Sequence, residues 1–140
     1  MSEQKPIARL LGLMTARMAL ALAAATGALA VLLGAFGAHW LGDRLEPYAM
    51  EVYRTAVAYQ FYHVLALFMV GSFLSFGLRS RLVQMAGWMF LLGVLVFCGS
   101  LYLLAVTGQR WMGAITPLGG ACLVLGWVLL IWAALRRAKS

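Results

Sequence analysis

Charge is what this chain has least of. Only 11% of its 140 residues are charged, and just four are acidic: Glu3, Asp43, Glu46 and Glu51. None of those four falls inside a long apolar run. A soluble domain is about 25% charged and about 45–50% apolar. Here 64% of the residues are hydrophobic, and the mean hydropathy is +0.92. A soluble fold of this size could not hide so much apolar surface. Cysteine is scarce too. Cys98 and Cys122 both sit in apolar runs without CxxC spacing, which argues against a disulfide framework. Phosphate-loop, nucleophile-elbow and zinc-protease patterns are missing, so the sequence leaves enzymatic activity undecided and leans against it.

What remains is an all-α integral membrane protein in a single domain, residues 1–140. Apolar runs free of charge place four spans at about 18–38, 56–78, 82–106 and 112–135. The connections "RSR" (Arg79 to Arg81) and "TGQRW" (Thr107 to Trp111) are short enough to force antiparallel neighbours, hence an up-down four-helix bundle. The first run is too long for the apolar part of a cleavable signal, so a retained span is expected. Residues 1–17 form a basic leader whose Ile7, Leu10, Leu11 and Met14 fit either an amphipathic helix on an anionic leaflet or an unstructured tail.

The net charge of +7 invites a nucleic-acid reading, but most bases flank apolar runs and act as topology signals. With both termini in the cytoplasm, the inner side holds Lys5, Arg9, Arg17, Arg79, Arg81, Arg136, Arg137 and Lys139. The outer side holds only Arg44, Arg54 and Arg110. Eight against three predicts an N-in, C-in protein of a bacterial inner membrane, with the lipid bilayer and no nucleic acid as partner. It also argues against a dual-topology dimer.

Three acids crowd the outer connection before the second span. There Pro47, preceded by Glu46, marks a helix start, so an outer helical extension runs into that span. A helix reaching Leu78 must then project, tilt, or bend near Tyr53 to Ala56. Beyond it, Glu51, Thr55, Tyr59 and His63 recur every four residues with Tyr62 alongside, one slowly drifting polar stripe. Gln60 points roughly opposite to Glu51. An ionisable residue within a span is a functional candidate, although a neutral histidine also serves as interhelical glue, and packing is the preferred reading here. Secondary candidates are His39, Ser100, Tyr102, Thr116 and Pro117. Pro117 frees a backbone carbonyl in the fourth span. Small residues mark packing seams: Thr26, Ala30, Gly34 and Ala38 at steps of four, and Ala86, Gly93, Ser100 and Thr107 at steps of seven. Gly37, Gly99, Gly119 and Gly120 join them as helix-packing positions.

His63, Cys98 and Cys122 reach similar depths, and such donors suit soft metals. Without a local motif no metal site is assigned, and which cofactor, if any, is used is unknown from the sequence. Paired His63 and His39 as haem ligands form a further, weaker reading.

The blocks "GAFGAH" (Gly34 to His39), "TAVAYQFYH" (Thr55 to His63), "GSLYLLAVTG" (Gly99 to Gly108) and "ITPLGG" (Ile115 to Gly120), followed by Gly126-Trp127, resemble the domain-of-unknown-function 423 family. These are small bacterial, YgdD-like membrane proteins related to transmembrane protein 256. The resemblance spans Gly34 to Trp127, with Trp40 in place of an expected glycine and Cys98 where the family tends to serine. It implies the four-span architecture and supplies no reaction. Two functions therefore stand from the sequence. One is a structural, accessory or assembly protein that packs with a second copy or a larger membrane complex. The alternative is transport or conduction of a small solute or ion through an outer-leaflet vestibule lined by the second helix.

Overall fold

The computed structural model describes residues 14–78 and 80–137. Among the described residues, four helices are long and apolar enough to cross a membrane: α1 (Ala16–Leu41), α2 (Pro47–Ser75), α3 (Arg81–Thr107) and α4 (Trp111–Arg137). Each begins or ends where local chemistry dictates. The Thr15 hydroxyl accepts from the Met18 N–H at 3.2 Å and caps α1. Ser80 does the same for α3 through the Leu82 N–H. Pro47 opens α2, its missing N–H costing nothing in a first turn. Gly108, at φ 69°, stops α3 in the left-handed region that a side chain disfavours.

Consecutive helices pack antiparallel, and the most extensive contacts run α1 to α2, α2 to α3 and α3 to α4. The α1–α2 seam has a regular step. Gly71 lies against Leu20, Gly27 against Val64 and Gly34 against Val57, each contact seven residues from the last on both helices. Seven-residue steps are the signature of knobs-into-holes packing at 3.5 residues per turn. On α2 the buried positions follow the same rhythm: Tyr53, Ala56, Gln60, His63, Leu67, Val70 and Leu74. Large side chains such as Leu29, Leu32, Leu65, Phe68, Leu125 and Ile131 face outward, as lipid-facing positions do.

The structure corrects several expectations. The outer extension and the second span are one unbroken helix of 29 residues, about 43 Å long, ending at Ser75 rather than Leu78. The early stop comes from Gly77 at φ 84°, where the N–H of Leu78 bonds the Phe73 carbonyl at 2.9 Å. The four-step seam on α1 fails at its far end, with Ala38 exposed. A spacing of four advances about 40° per step around a helix, so four such residues spread over a third of the circumference. The leader's amphipathic positions before Met14 lie outside the described residues, whereas Met14 itself is buried against Gly87 and Val70.

Two helices each carry one π-helical turn: Gly37–Leu41 at the end of α1, and Val94–Cys98 in the middle of α3. The second matters for the site. One extra residue in that turn rotates everything after it, so the buried series moves from Phe90 and Val94 to Cys98 and Ala105.

Candidate functional site

The polar residues of α2 divide by a few tens of degrees around the helix. Gln60 and His63 point inward, 3% and 7% exposed. Tyr59 and Tyr62 lie on the flank, 40% and 60% exposed, and Glu51 is exposed. Thr55 is half-buried and spends its hydroxyl on the Glu51 carbonyl at 3.0 Å. The expected grouping of Thr55, Tyr59, Tyr62 and His63 on one face, with Gln60 on another, is therefore redrawn. The protein-facing pair is Gln60 and His63, joined by Tyr53.

Gln60 joins three helices. Its Nε2 donates to the Thr26 carbonyl of α1 at 2.8 Å, and its Oε1 accepts from the Tyr102 hydroxyl of α3 at 2.8 Å. About two helical turns above, the Tyr53 hydroxyl donates to the Leu33 carbonyl of α1 at 2.7 Å. The Tyr53 ring meets Tyr102 edge-on at 5.1 Å and covers Gly37, where any Cβ would strike the ring. Burying an amide in a low-dielectric interior is costly unless its groups are paired, and here both ends of Gln60 are.

His63 is satisfied at both nitrogens. Nδ1 lies 2.9 Å from the Tyr59 carbonyl, and Nε2 lies 3.3 Å from Nε1 of Trp127 on α4. A carbonyl only accepts and an indole N–H only donates. The partners therefore assign the neutral tautomer, with the proton on Nδ1. Phe90 closes the pocket, 5.8 Å from the His63 ring and 5.1 Å from that of Trp127. Gly126 gives Phe90 its room.

The α3–α4 seam holds the remaining candidates. Ser100 and Thr116 hydroxyls meet at 2.7 Å, each also within reach of its own helix's carbonyl, Phe97 and Met112 respectively. The π-helical turn of α3 sits against Gly119, where a Cβ would collide with the backbone of Phe97. Gly93 is equally tight against Leu123. Pro117 stands inside α4 beside this close approach. Gly34 and Gly120 make only ordinary contacts, and Gly99 faces open space, so Gly99 is not a packing glycine.

His39 is exposed on the π-helical turn of α1. His63 lies level with residues near Gly27, since Gly27 meets Val64. His39 is thus displaced by about 18 Å along α1, and the two histidines do not form a haem pair. Among the described residues, no group of three His, Cys, Asp or Glu side chains comes together as a metal site. Cys98 is buried and Cys122 half-buried.

Sequence reasoning missed Tyr53, Trp127 and the polar atoms of the termini end. There Gln84 Oε1 and Trp88 Nε1, one turn apart on α3, have no partner among the described residues. For Tyr53, the seven-residue rhythm through Gln60, Leu67 and Leu74 was the available signal.

Comparison with known proteins places this geometry in context. The model of a family described as "Protein of unknown function (DUF423)" matches residues 33–120, which contain Tyr53, Gln60, His63, Ser100, Tyr102 and Thr116 but not Thr26, Gly126 or Trp127. A UPF0382 membrane protein of Staphylococcus epidermidis is 44% identical over 117 residues, covering 84% of this chain and 94% of its own. UPF0382 membrane protein SH2409 of Staphylococcus haemolyticus is 49% identical over 98 residues, covering 70% and 79%. UPF0382 membrane protein YwdK of Bacillus subtilis is 43% identical over 116 residues, covering 82% and 94%. No solved structure matches.

Proposed function

Because this chain belongs to the DUF423 family of small bacterial membrane proteins, we infer that its polar residues serve assembly rather than catalysis. It acts as a non-enzymatic structural or accessory component of the membrane. The observation that carries this reading is the internal use of Gln60 and His63: both side-chain polar atoms of Gln60 and both ring nitrogens of His63 have a partner on a neighbouring helix or their own. A catalytic base or transported ion would need one of those atoms. Against the transport reading, Tyr59 and Tyr62 of the stripe lie exposed on the flank of α2, while Tyr53, Phe90 and Tyr102 pack beside the inward Gln60 and His63.

The working location is the bacterial inner membrane with both termini in the cytoplasm, supported by the eight-to-three bias of Lys and Arg. The loop end, with Asp43, Glu46 and Glu51, then faces outward. The partner is a second copy or a larger membrane complex. Co-purification in mild detergent tests this: a discrete complex is expected, and a chain that always elutes alone as a monomer overturns it. A proteoliposome flux assay provides the opposing check, because flux lost on His63→Ala and Tyr59→Phe would restore transport.

A further inference from the structure

The termini end holds a cavity of about 570 Å³ between the α2–α3 turn, the first turn of α3 and the last turns of α4. Its size lies within the roughly 300–1,000 Å³ of ligand clefts. The walls are apolar, from Phe73 and Leu78 on one side to Leu130 and Ala134 on the other. Among the described residues, Ser80 and Arg136 are the polar side chains that line it.

The polar character of the mouth is one-sided. The last carbonyls of α2 are closed within the chain, since Gly77 N–H bonds Leu74 O at 3.3 Å and Leu78 N–H bonds Phe73 O at 2.9 Å. The positive end of the α3 dipole opens beside Ser80. Arg136 lies over the Trp132 ring at 4.5 Å and lines the cavity. Arg81 is exposed one residue beyond Ser80. The acids of the described residues, Asp43, Glu46 and Glu51, all lie at the opposite end. Among the described residues the mouth thus carries Arg136, with Arg81 nearby and no acid, and an apolar slot leads inward from it.

We propose that this groove seats one anionic phospholipid, with an acyl chain between Phe73 and Leu130 and its phosphate at Arg136. Charge complementarity selects this occupant. A free anion would leave the slot unfilled, a zwitterionic lipid would bring its own head-group cation beside the arginine along with its phosphate, and basic pockets between transmembrane helices hold acidic head groups by the same chemistry.

Native mass spectrometry of the full-length protein in detergent, with equal amounts of phosphatidylglycerol and phosphatidylcholine, tests it. One phosphatidylglycerol adduct per chain is expected, favoured about fivefold, the factor one cation near an anionic lipid is worth. Arg136→Gln should level the two lipids. Ala134→Trp, or the milder Ala134→Leu if the first fails to fold, should remove the adduct by filling the slot. Equal binding of both lipids by the unaltered chain overturns the proposal. So does an adduct that survives both cavity-filling variants, or a dimer that these variants dissociate while lipid binding stays unchanged, since that would make a second copy the occupant.

Discussion

The hydroxyl of Tyr102 donates to Oε1 of Gln60 across the α2–α3 interface at 2.8 Å, and the same Gln60 reaches α1 with its other end. Three helices therefore depend on one amide. Tyr102→Phe leaves Gln60 Oε1 buried and unpaired, at a cost of about 1 kcal/mol. Gln60→Leu strands the tyrosine hydroxyl and costs about as much or more. Because the residues share one bond, the double variant should lose less than the sum of the two. Unfolding by sodium dodecyl sulfate titration in mixed micelles measures all three, and strict additivity would mean that the bond contributes nothing.

Trp127 and His63 offer a second cycle. Trp127→Phe keeps most of the packing and removes the donor to Nε2. A coupling energy of about 0.6 kcal/mol with His63→Leu is expected, the average for polar pairs inside membranes. The 3.3 Å separation favours a value no higher than that. The same titration reads it, and no coupling would reduce the contact to packing alone.

Glycines of similar appearance should behave in opposite ways. A Cβ at Gly93 meets Leu123, including its backbone nitrogen at 3.0 Å, so Gly93→Ala should cost about 1–3 kcal/mol through overpacking. Gly119→Ala meets the Phe97 backbone and should be at least as harmful. Gly99 has open space beside it in a helix, so Gly99→Ala should be neutral or stabilising by up to about 1 kcal/mol. Thermal unfolding in detergent distinguishes the three.

The paired hydroxyls of Ser100 and Thr116 each have a carbonyl of their own helix to fall back on. Ser100→Ala and Thr116→Ala should therefore each cost about 0.5 kcal/mol, the low end for a hydrogen bond. A loss near 3 kcal/mol in either would show that the carbonyl contacts do not compensate.

Orientation is open to chemical labelling. Tyr48 is 72% exposed at the loop end, and Phe76 is 83% exposed at the termini end. Tyr48→Cys should react with a membrane-impermeant maleimide on intact cells, and Phe76→Cys only after the membrane is opened. The reverse pattern would invert the topology.

The parts of this molecule legible in its sequence are those governed by local chemistry. Pro47 after Glu46 marked the start of α2, and the apolar runs marked four helices to within a few residues. The inward pair Gln60 and His63 was named but grouped wrongly, because steps of four were followed where the packing runs on steps of seven. Trp127 could not be paired with His63 from 64 residues away, since nothing local to either announces the other. The π-helical turns left no trace in composition: "VLVFC" is an ordinary apolar string.

That turn makes the far half of α3 a matter of counting. Tyr102 and Ser100 face their partners because one surplus residue between Val94 and Cys98 has offset the helix, and no particular side chain there performs the offset. Substitutions that keep the segment apolar and close to its present side-chain volumes should be tolerated. Deleting a single residue from it would relax the turn to a regular helix and swing both hydroxyls about 100° toward lipid. The polar core of this protein is thus more vulnerable to a change in length than to most changes in letter.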